Sequence, residues 1–415
     1  MHGRVVKGQD IPPRILPKIG LVFIGLSVAL IVSEIAFSAL FRPDTRYYVF
    51  PPNLHRAFKP MPYAMPGIEG ISRFITNSQG IRGDEFLADD AYEILTVGGS
   101  TTACVYLDQS ECWPYLLQQK LNQDQHQHKV WVGSVGKSGL NTQHHVVQMK
   151  YLLNQYPNID AVTVLVGIND FLVRLAKGEN YDPHFLDRPG AEDELVSTIF
   201  ARFPERKQRT LPWYKRTALW RVAKAIKTGK TLWHLERNLT HRENVEDEAG
   251  RWYVEERKKR RLAALKKDLP PLTSALEEYS RNINTLIQLA RDRSIRIIFL
   301  TQPSMWKPGL SKESSNLCWM GASHYEKEYY SIEALATGMK MYNRTLLKVC
   351  KAQQIECLDL ASLLPRDTSS FYDDAHFNER GAEKVAGILA HYMMQHAPFK
   401  KQVRKRPAFA FGDGR

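Results

Sequence analysis

Three short apolar runs in this chain stop at glycine: Tyr92–Val97 at Gly98-Gly99, Lys129–Val135 at Gly136, and Ala161–Val166 at Gly167. The first two are followed by helical spacing. Cys112–Leu121 sets Trp113, Leu116, Leu117 and Leu121 on one face, and a further helix is predicted over about 142–155. The alternation resumes with a helix over Leu272–Arg291, a strand at Ile295–Leu300, a helix over Ile332–Ala352, a strand at Ile355–Leu358 and a closing helix over Arg380–His396. Five apolar strands separated by amphipathic helices predict an α/β fold, with a five-stranded, mostly parallel sheet covered on both faces and joined by right-handed crossovers. In such sheets ligands bind beyond the carboxyl ends of the strands, which is the edge where the glycines gather.

The 415 residues, 43% of them apolar and 24% charged, suffice for a large core and exclude global disorder. Five cysteines without a CxxC pair exclude a disulfide scaffold and a zinc ribbon. Ile19 to Phe41 is an apolar run interrupted only by Glu34, long enough to cross a hydrocarbon core of about 30 Å. Arg4, Lys7, Arg14 and Lys18 precede it, which favours a cytoplasmic N-terminus. The competing interpretation is a cleaved signal peptide, with Ala36-Phe37-Ser38 as a small-residue cleavage site. Either one puts residues 43–415 outside the cytoplasm, periplasmic or extracellular, where Cys350 and Cys357 are near enough in sequence to pair.

The expected organisation is a cytoplasmic segment at 1–18, a transmembrane anchor at 19–41 and an irregular Pro-, Gly- and aromatic-rich lead-in at 42–90. An α/β domain at 91–396 follows, with a helical, basic insertion at 172–270, and a basic tail at 397–415 ends the chain. The net charge of +13 is uneven, since residues 201–269 hold 20 Lys or Arg against 9 Asp or Glu. A basic insertion on a mildly acidic body is expected to meet anions, and composition alone leaves nucleic acid, membrane phospholipid and an acidic glycan open; the motifs below point away from nucleic acid. Trp213, Trp220, Trp233 and Trp252 within it suit sugar stacking, a lipid interface or packing on the body. Arg257–Arg261 fits a solvated helix face, with anion contact as the sharper alternative.

Four segments bring chemistry to the glycine-rich edge. In Gly98-Gly99-Ser100, a serine directly after a strand projects its hydroxyl at the edge, in a turn that lacks the second glycine of a G-x-S-x-G elbow. Gly139, within Ser138-Gly139-Leu140-Asn141, is able to aim a backbone N–H into a cleft, and Asn169, within Gly167-Ile168-Asn169-Asp170, to donate its amide to a developing oxyanion. In Asp373-Asp374-Ala375-His376, the three-residue offset brings Asp373 to the imidazole Nδ1 and leaves Nε2 for the serine proton, with Asp374 in second place. Any one of these is as easily an ordinary turn or helix cap; four in order, each at a strand end or the final helix start, are not.

As a set, the four blocks resemble the SGNH hydrolases, also called the GDSL esterase/lipase superfamily, over about 90–170 and 270–395. The resemblance implies a three-layer α/β/α fold, Ser100 as nucleophile, His376 as base and Asp373 as its orienter. It also implies an oxyanion hole of Ser100 N–H, Gly139 N–H and the Asn169 side chain. One departure stands out: Gly99 occupies the position of the usual aspartate, a substitution found in membrane-associated branches. The implied activity is that of a serine esterase without metal or cofactor. Membrane tethering and the basic, aromatic insertion make an O-acetyl ester on an extracytoplasmic glycan the preferred substrate, with an acyl-lipid or thioester open. Acyl transfer to a sugar hydroxyl, or a non-catalytic membrane-tethered polyanion-binding scaffold, are the alternatives. His144 and His145 are read as helix-surface residues, and Gln302-Pro303 as bordering the pocket.

Overall fold

A computed structural model describes residues 16–40, 46–87, 91–123, 129–204, 212–228, 245–324 and 328–396. The expected basic tail at 397–415, residues 1–15, Phe41 and Trp233 lie outside these. The described strands are β1 (His55–Pro60), β2 (Ser72–Ile75), β3 (Tyr92–Gly98), β4 (Val130–Ser134), β5 (Ala161–Val166), β6 (Val245–Ala249), β7 (Ala264–Lys266), β8 (Arg296–Thr301), β9 (Glu328–Tyr330) and β10 (Glu356–Leu358). The described α-helices are α1 (Leu16–Leu40), α2 (Ser100–Ala103), α3 (Trp113–Leu121), α4 (Thr142–Gln155), α5 (Ile168–Lys177), α6 (Ala191–Ile199), α7 (Ala218–Thr228), α8 (Arg251–Leu262), α9 (Thr273–Arg291), α10 (Lys312–Ser315), α11 (Ile332–Gln353), α12 (Leu360–Leu363) and α13 (Glu379–Gln395). They fall into two units, one made from 1–45 with 204–242 and the other from 46–203 with 243–415.

In the larger unit, β10-β8-β5-β3-β4 form one sheet with every neighbouring pair parallel. The strands β3, β4 and β5 are buried along their whole length, so helices must cover both faces. One layer is α3 with α13 and the other is α4, α9 and α11, giving the three-layer α/β/α arrangement. From β3 the chain steps out to β4 and then returns across β3 to β5. The strand order thus reverses between β3 and β5, and the crevice at that reversal is where such sheets place their ligands.

The stretch 42–90 is not irregular throughout, as its composition suggested. The strands β1 and β2 pair antiparallel, and β6 from the insertion adds to β1 in parallel. They are short, and β6 lies nearly two hundred residues from the β1 it pairs with, so no local pattern announces the sheet. The insertion is likewise not purely helical, since β6 and β7 belong to it and β7 pairs with β9. The basic helix α8 also departs from the solvated-face interpretation: Arg257 and Arg260 are both buried. Arg257 donates to the carbonyls of Leu317, Ala64 and Tyr372 at 2.8, 2.7 and 3.2 Å, and Arg260 to those of Met320 and Tyr330. Two of the charges assigned to an anion-facing surface are therefore internal cross-links.

The smaller unit contains α1 and α7. The segment Gly20–Ala39 of α1 has a mean hydropathy of 2.3 and none of it is buried by the protein, as length and composition suit for crossing a membrane.

Candidate active site

The strand β3 ends at Gly98, and α2 begins at Ser100 without a side-chain cap. Several elements brace the short turn that carries the serine. The Trp113 indole donates to Thr101 O at 3.0 Å, and Thr101 Oγ1 donates to Gln302 Oε1 at 3.3 Å, so the residue expected to border the pocket touches the serine segment. Beneath it, the guanidinium of Arg82 is buried and donates to the carbonyls of Ala103, Cys104 and Leu107. A buried charge with that many acceptors is a rigid support.

His376 enters from the loop before α13 and completes a hydrogen-bonded chain. Its Nε2 is 2.7 Å from Ser100 Oγ, and its Nδ1 is 2.7 Å from Asp373 Oδ2. Asp373 Oδ1 accepts the backbone N–H groups of Ala375 and His376 at 3.0 and 2.8 Å, which fixes the carboxylate to its own turn. Its Oδ2 also accepts the Trp319 indole N–H at 2.8 Å. Asp374 faces elsewhere, accepting Trp306 Nε1 at 2.7 Å and the backbone N–H groups of Trp319 and Met320 at 2.7 and 3.2 Å. The imidazole lies parallel to the rings of Tyr372 and Trp319, with the Tyr253 ring edge-on.

The electrostatics follow from this enclosure. Burial disfavours a charged His376, but the charge and hydrogen bond of Asp373, with Asp374 behind, outweigh it and raise the imidazole above its ordinary value. Burial also pushes Asp373 up; the paired His376 and the N–H donors overcome it and hold the carboxyl below its usual range. Asp374 is driven up by burial and by the neighbouring Asp373 charge.

Facing this chain are the second and third blocks. Gly139 is exposed and has a φ of +80°, a backbone turn that favours glycine. Among the described residues neither its N–H nor that of Ser100 has an acceptor. Asn169, in the first turn of α5, donates one Nδ2 hydrogen to Leu140 O at 2.7 Å, which leaves its second for a ligand. A Cβ at position 99 would press on the Asn169 side-chain amide, so Gly99 and Asn169 are packed directly against one another beside Ser100. Next to Asn169, Asp170 is buried and accepts both the N–H and the hydroxyl of Thr142; burial pushes its carboxyl up to about 7.

Ser100, Asp373 and His376 are thus in contact, and Gly139 and Asn169 lie on the adjoining strand ends. Trp319 and Arg82 were missed by sequence reasoning. Trp319 is 54 positions from the carboxylate it contacts and sits in no motif, and Arg82 lies in the stretch taken as irregular. The histidines after the second block are corrected as well. His145 is fully buried and His144 half-buried; burial lowers them to about 3 and about 4, so both are neutral at pH 7. His144 completes a capping box with Asn141 at the start of α4, and His145 lies against Gln148. The five cysteines are free thiols, and among the described residues no group of His, Cys, Asp or Glu is arranged to hold a metal ion.

Residues 96–384 match the GDSL-like lipase/acylhydrolase family. No curated protein sequence matches the chain. Among solved structures it is similar to the psychrotrophic esterase EstA from Pseudoalteromonas sp., at 12% identity and a TM-score of 0.35, over 73% of this chain and 97% of that one. It is also similar to Axe2, an acetylxylan esterase from Geobacillus stearothermophilus, at 11% identity and a TM-score of 0.36, over 75% of this chain and 97% of the other.

Proposed function

The chain belongs to the GDSL-like lipase/acylhydrolase family and is an ester-bond hydrolase; from that premise we propose that it works through an acyl-enzyme on Ser100. The Ser100 hydroxyl passes its proton to His376 Nε2 as Oγ attacks the ester carbonyl. Asp373 holds the imidazole in the receiving tautomer and stabilises the imidazolium. The tetrahedral oxyanion takes hydrogen bonds from Ser100 N–H, Gly139 N–H and the free Asn169 amide hydrogen. His376 returns the proton to the leaving alcohol, and a water, deprotonated by the same nitrogen, releases the acid. The observation that carries the proposal is the continuous Ser100–His376–Asp373 chain, at 2.7 Å in both links.

The substrate proposed is a small acyl group, such as acetyl, on an extracytoplasmic glycan. Trp252 supports this choice. Its indole is 53% exposed and packs edge-on to Trp319, which lies parallel to the His376 ring. A flat exposed ring this near the imidazole suits the face of a sugar. In the same proposal α1 stays in the membrane as a single span, with residues 46–396 on the outer side. Labelling by a fluorophosphonate tests the chemistry: uptake by the wild type and none by Ser100→Ala is expected, and equal labelling of both rejects the acyl-enzyme. Supplying an acyl donor with and without glycan acceptor then separates the two fates of the acyl group. Release of free acid without acceptor is the expected result, and release only with acceptor means transfer.

A further inference from the structure

The only charge within Gly20–Ala39 of α1 is Glu34, and it is engaged by the start of α7. Its Oε1 accepts the Ala218 N–H at 2.6 Å and the Ser38 hydroxyl at 3.2 Å, and its Oε2 accepts the Leu219 N–H at 3.0 Å. The third amide of α7, Trp220 N–H, goes to Thr217 Oγ1 at 3.2 Å. Side chains therefore satisfy three of the amides that every helix start leaves without partners. Water usually serves such groups, and supplying acceptors for them one by one is what a medium without water demands. The depth agrees with this. Glu34 lies six residues before the end of α1 at Leu40, about 9 Å along the helix axis, so α7 begins below the outer end of the span.

The rest of the segment suits that depth. Trp213 and Ile226 are 78% and 75% exposed, and Tyr214 and Trp220 are also exposed. Trp213, Tyr214 and Trp220 form a run of edge-on rings, and the Lys215 ammonium lies over the last two. Lys224 and Lys227 are exposed farther along the helix. Aromatic side chains, an exposed aliphatic one and lysines are the composition of helices that lie in the membrane interface. At 11 residues α7 is too short to cross.

We propose that residues 212–228 form a second membrane-contacting element, a turn at Trp213–Arg216 followed by α7 lying in the membrane plane and pinned at its start by Glu34, which inserts Trp213, Tyr214, Trp220 and Ile226 among the lipids of an anionic leaflet. The proposal rests on α1 remaining in the membrane. It assigns the basic charge of this part of the insertion to phospholipid rather than to a glycan.

The test uses the full chain in phosphatidylcholine vesicles with and without phosphatidylglycerol, carrying brominated lipids that quench indole emission either near the headgroups or near the chain ends. Alkaline carbonate washing comes first, and release of the protein from the vesicles rejects the spanning premise itself. With the protein retained, headgroup-side bromine is expected to quench more than chain-end bromine. The Trp213→Phe/Trp220→Phe variant should lose that excess while keeping fluorophosphonate labelling. Glu34→Ala should reduce the excess in otherwise unaltered protein, and vesicles lacking phosphatidylglycerol should show less of it. Equal quenching of the wild type and the double variant rejects the in-plane helix, and no effect of Glu34→Ala rejects the pin. Equal quenching in the two lipid mixtures rejects the anionic leaflet.

Discussion

A Cβ at position 99 would press on the Asn169 amide, which couples the glycine of the serine block to the asparagine of the third block. Gly99→Ala is expected to displace the Asn169 amide and to lower kcat like Asn169→Ala, a loss of about 10²–10³-fold for one oxyanion donor. Steady-state rates on a soluble ester measure both, and a change below about threefold in Asn169→Ala means that this amide does not serve the transition state. Asp373 sets the second prediction. His376 must be neutral to accept a proton, and its pKa lies above the ordinary 6.5. Activity should therefore rise with pH and reach half its plateau above that value. Asp373→Asn removes the charge that raises the imidazole, so its remaining activity, about 10⁴-fold lower, should have an acid limb displaced to lower pH. An unmoved limb would assign that titration to another group. These residues were legible because each stands in a short block at a strand end or just before the final helix. Trp319 was not, because an indole that reaches a carboxylate across 54 positions leaves no local trace.

At the scale of elements, β3, β4, β5 and β8 and their helices could be read closely because burial on both faces writes continuous apolar runs into the sequence. The sheet of β1, β2 and β6 could not. Four of the five residues of β6 are exposed, and Val245-Glu246-Asp247-Glu248-Ala249 carries no alternation. The helix α8 was misread for the opposite reason: its cations resemble a solvated face, yet two of them point inward to carbonyls supplied by remote loops. One of those loops carries Tyr372, beside the His376 ring. Arg257→Met keeps the length of the side chain and strands two buried carbonyls and one half-buried one. It is expected to lower unfolding stability by about 2–4 kcal/mol in a denaturant titration. A loss within about 0.5 kcal/mol, the usual range of surface substitutions, would show that these contacts do not hold α8 in place.

For the whole molecule, an anchor with its N-terminus in the cytoplasm predicts that protease added to sealed vesicles of known sidedness cuts residues 46–396 only from the outer side. Digestion from the cytoplasmic side alone would reverse the orientation. The chain has two units, and the smaller one joins α1 to a segment from the middle of the sequence, a partnership that neither segment's composition shows, because each is self-consistent as a solitary helix. The 276 positions between the serine hydroxyl and its imidazole have a last consequence, which concerns birth rather than turnover. A ribosome adding ~5–20 residues per second makes the hydroxyl tens of seconds before the imidazole exists. On the proposed mechanism the nascent polypeptide lacks the imidazole its serine is paired with during that interval, so an unfinished or prematurely terminated copy is expected to be inert toward the acyl esters of the cell that makes it.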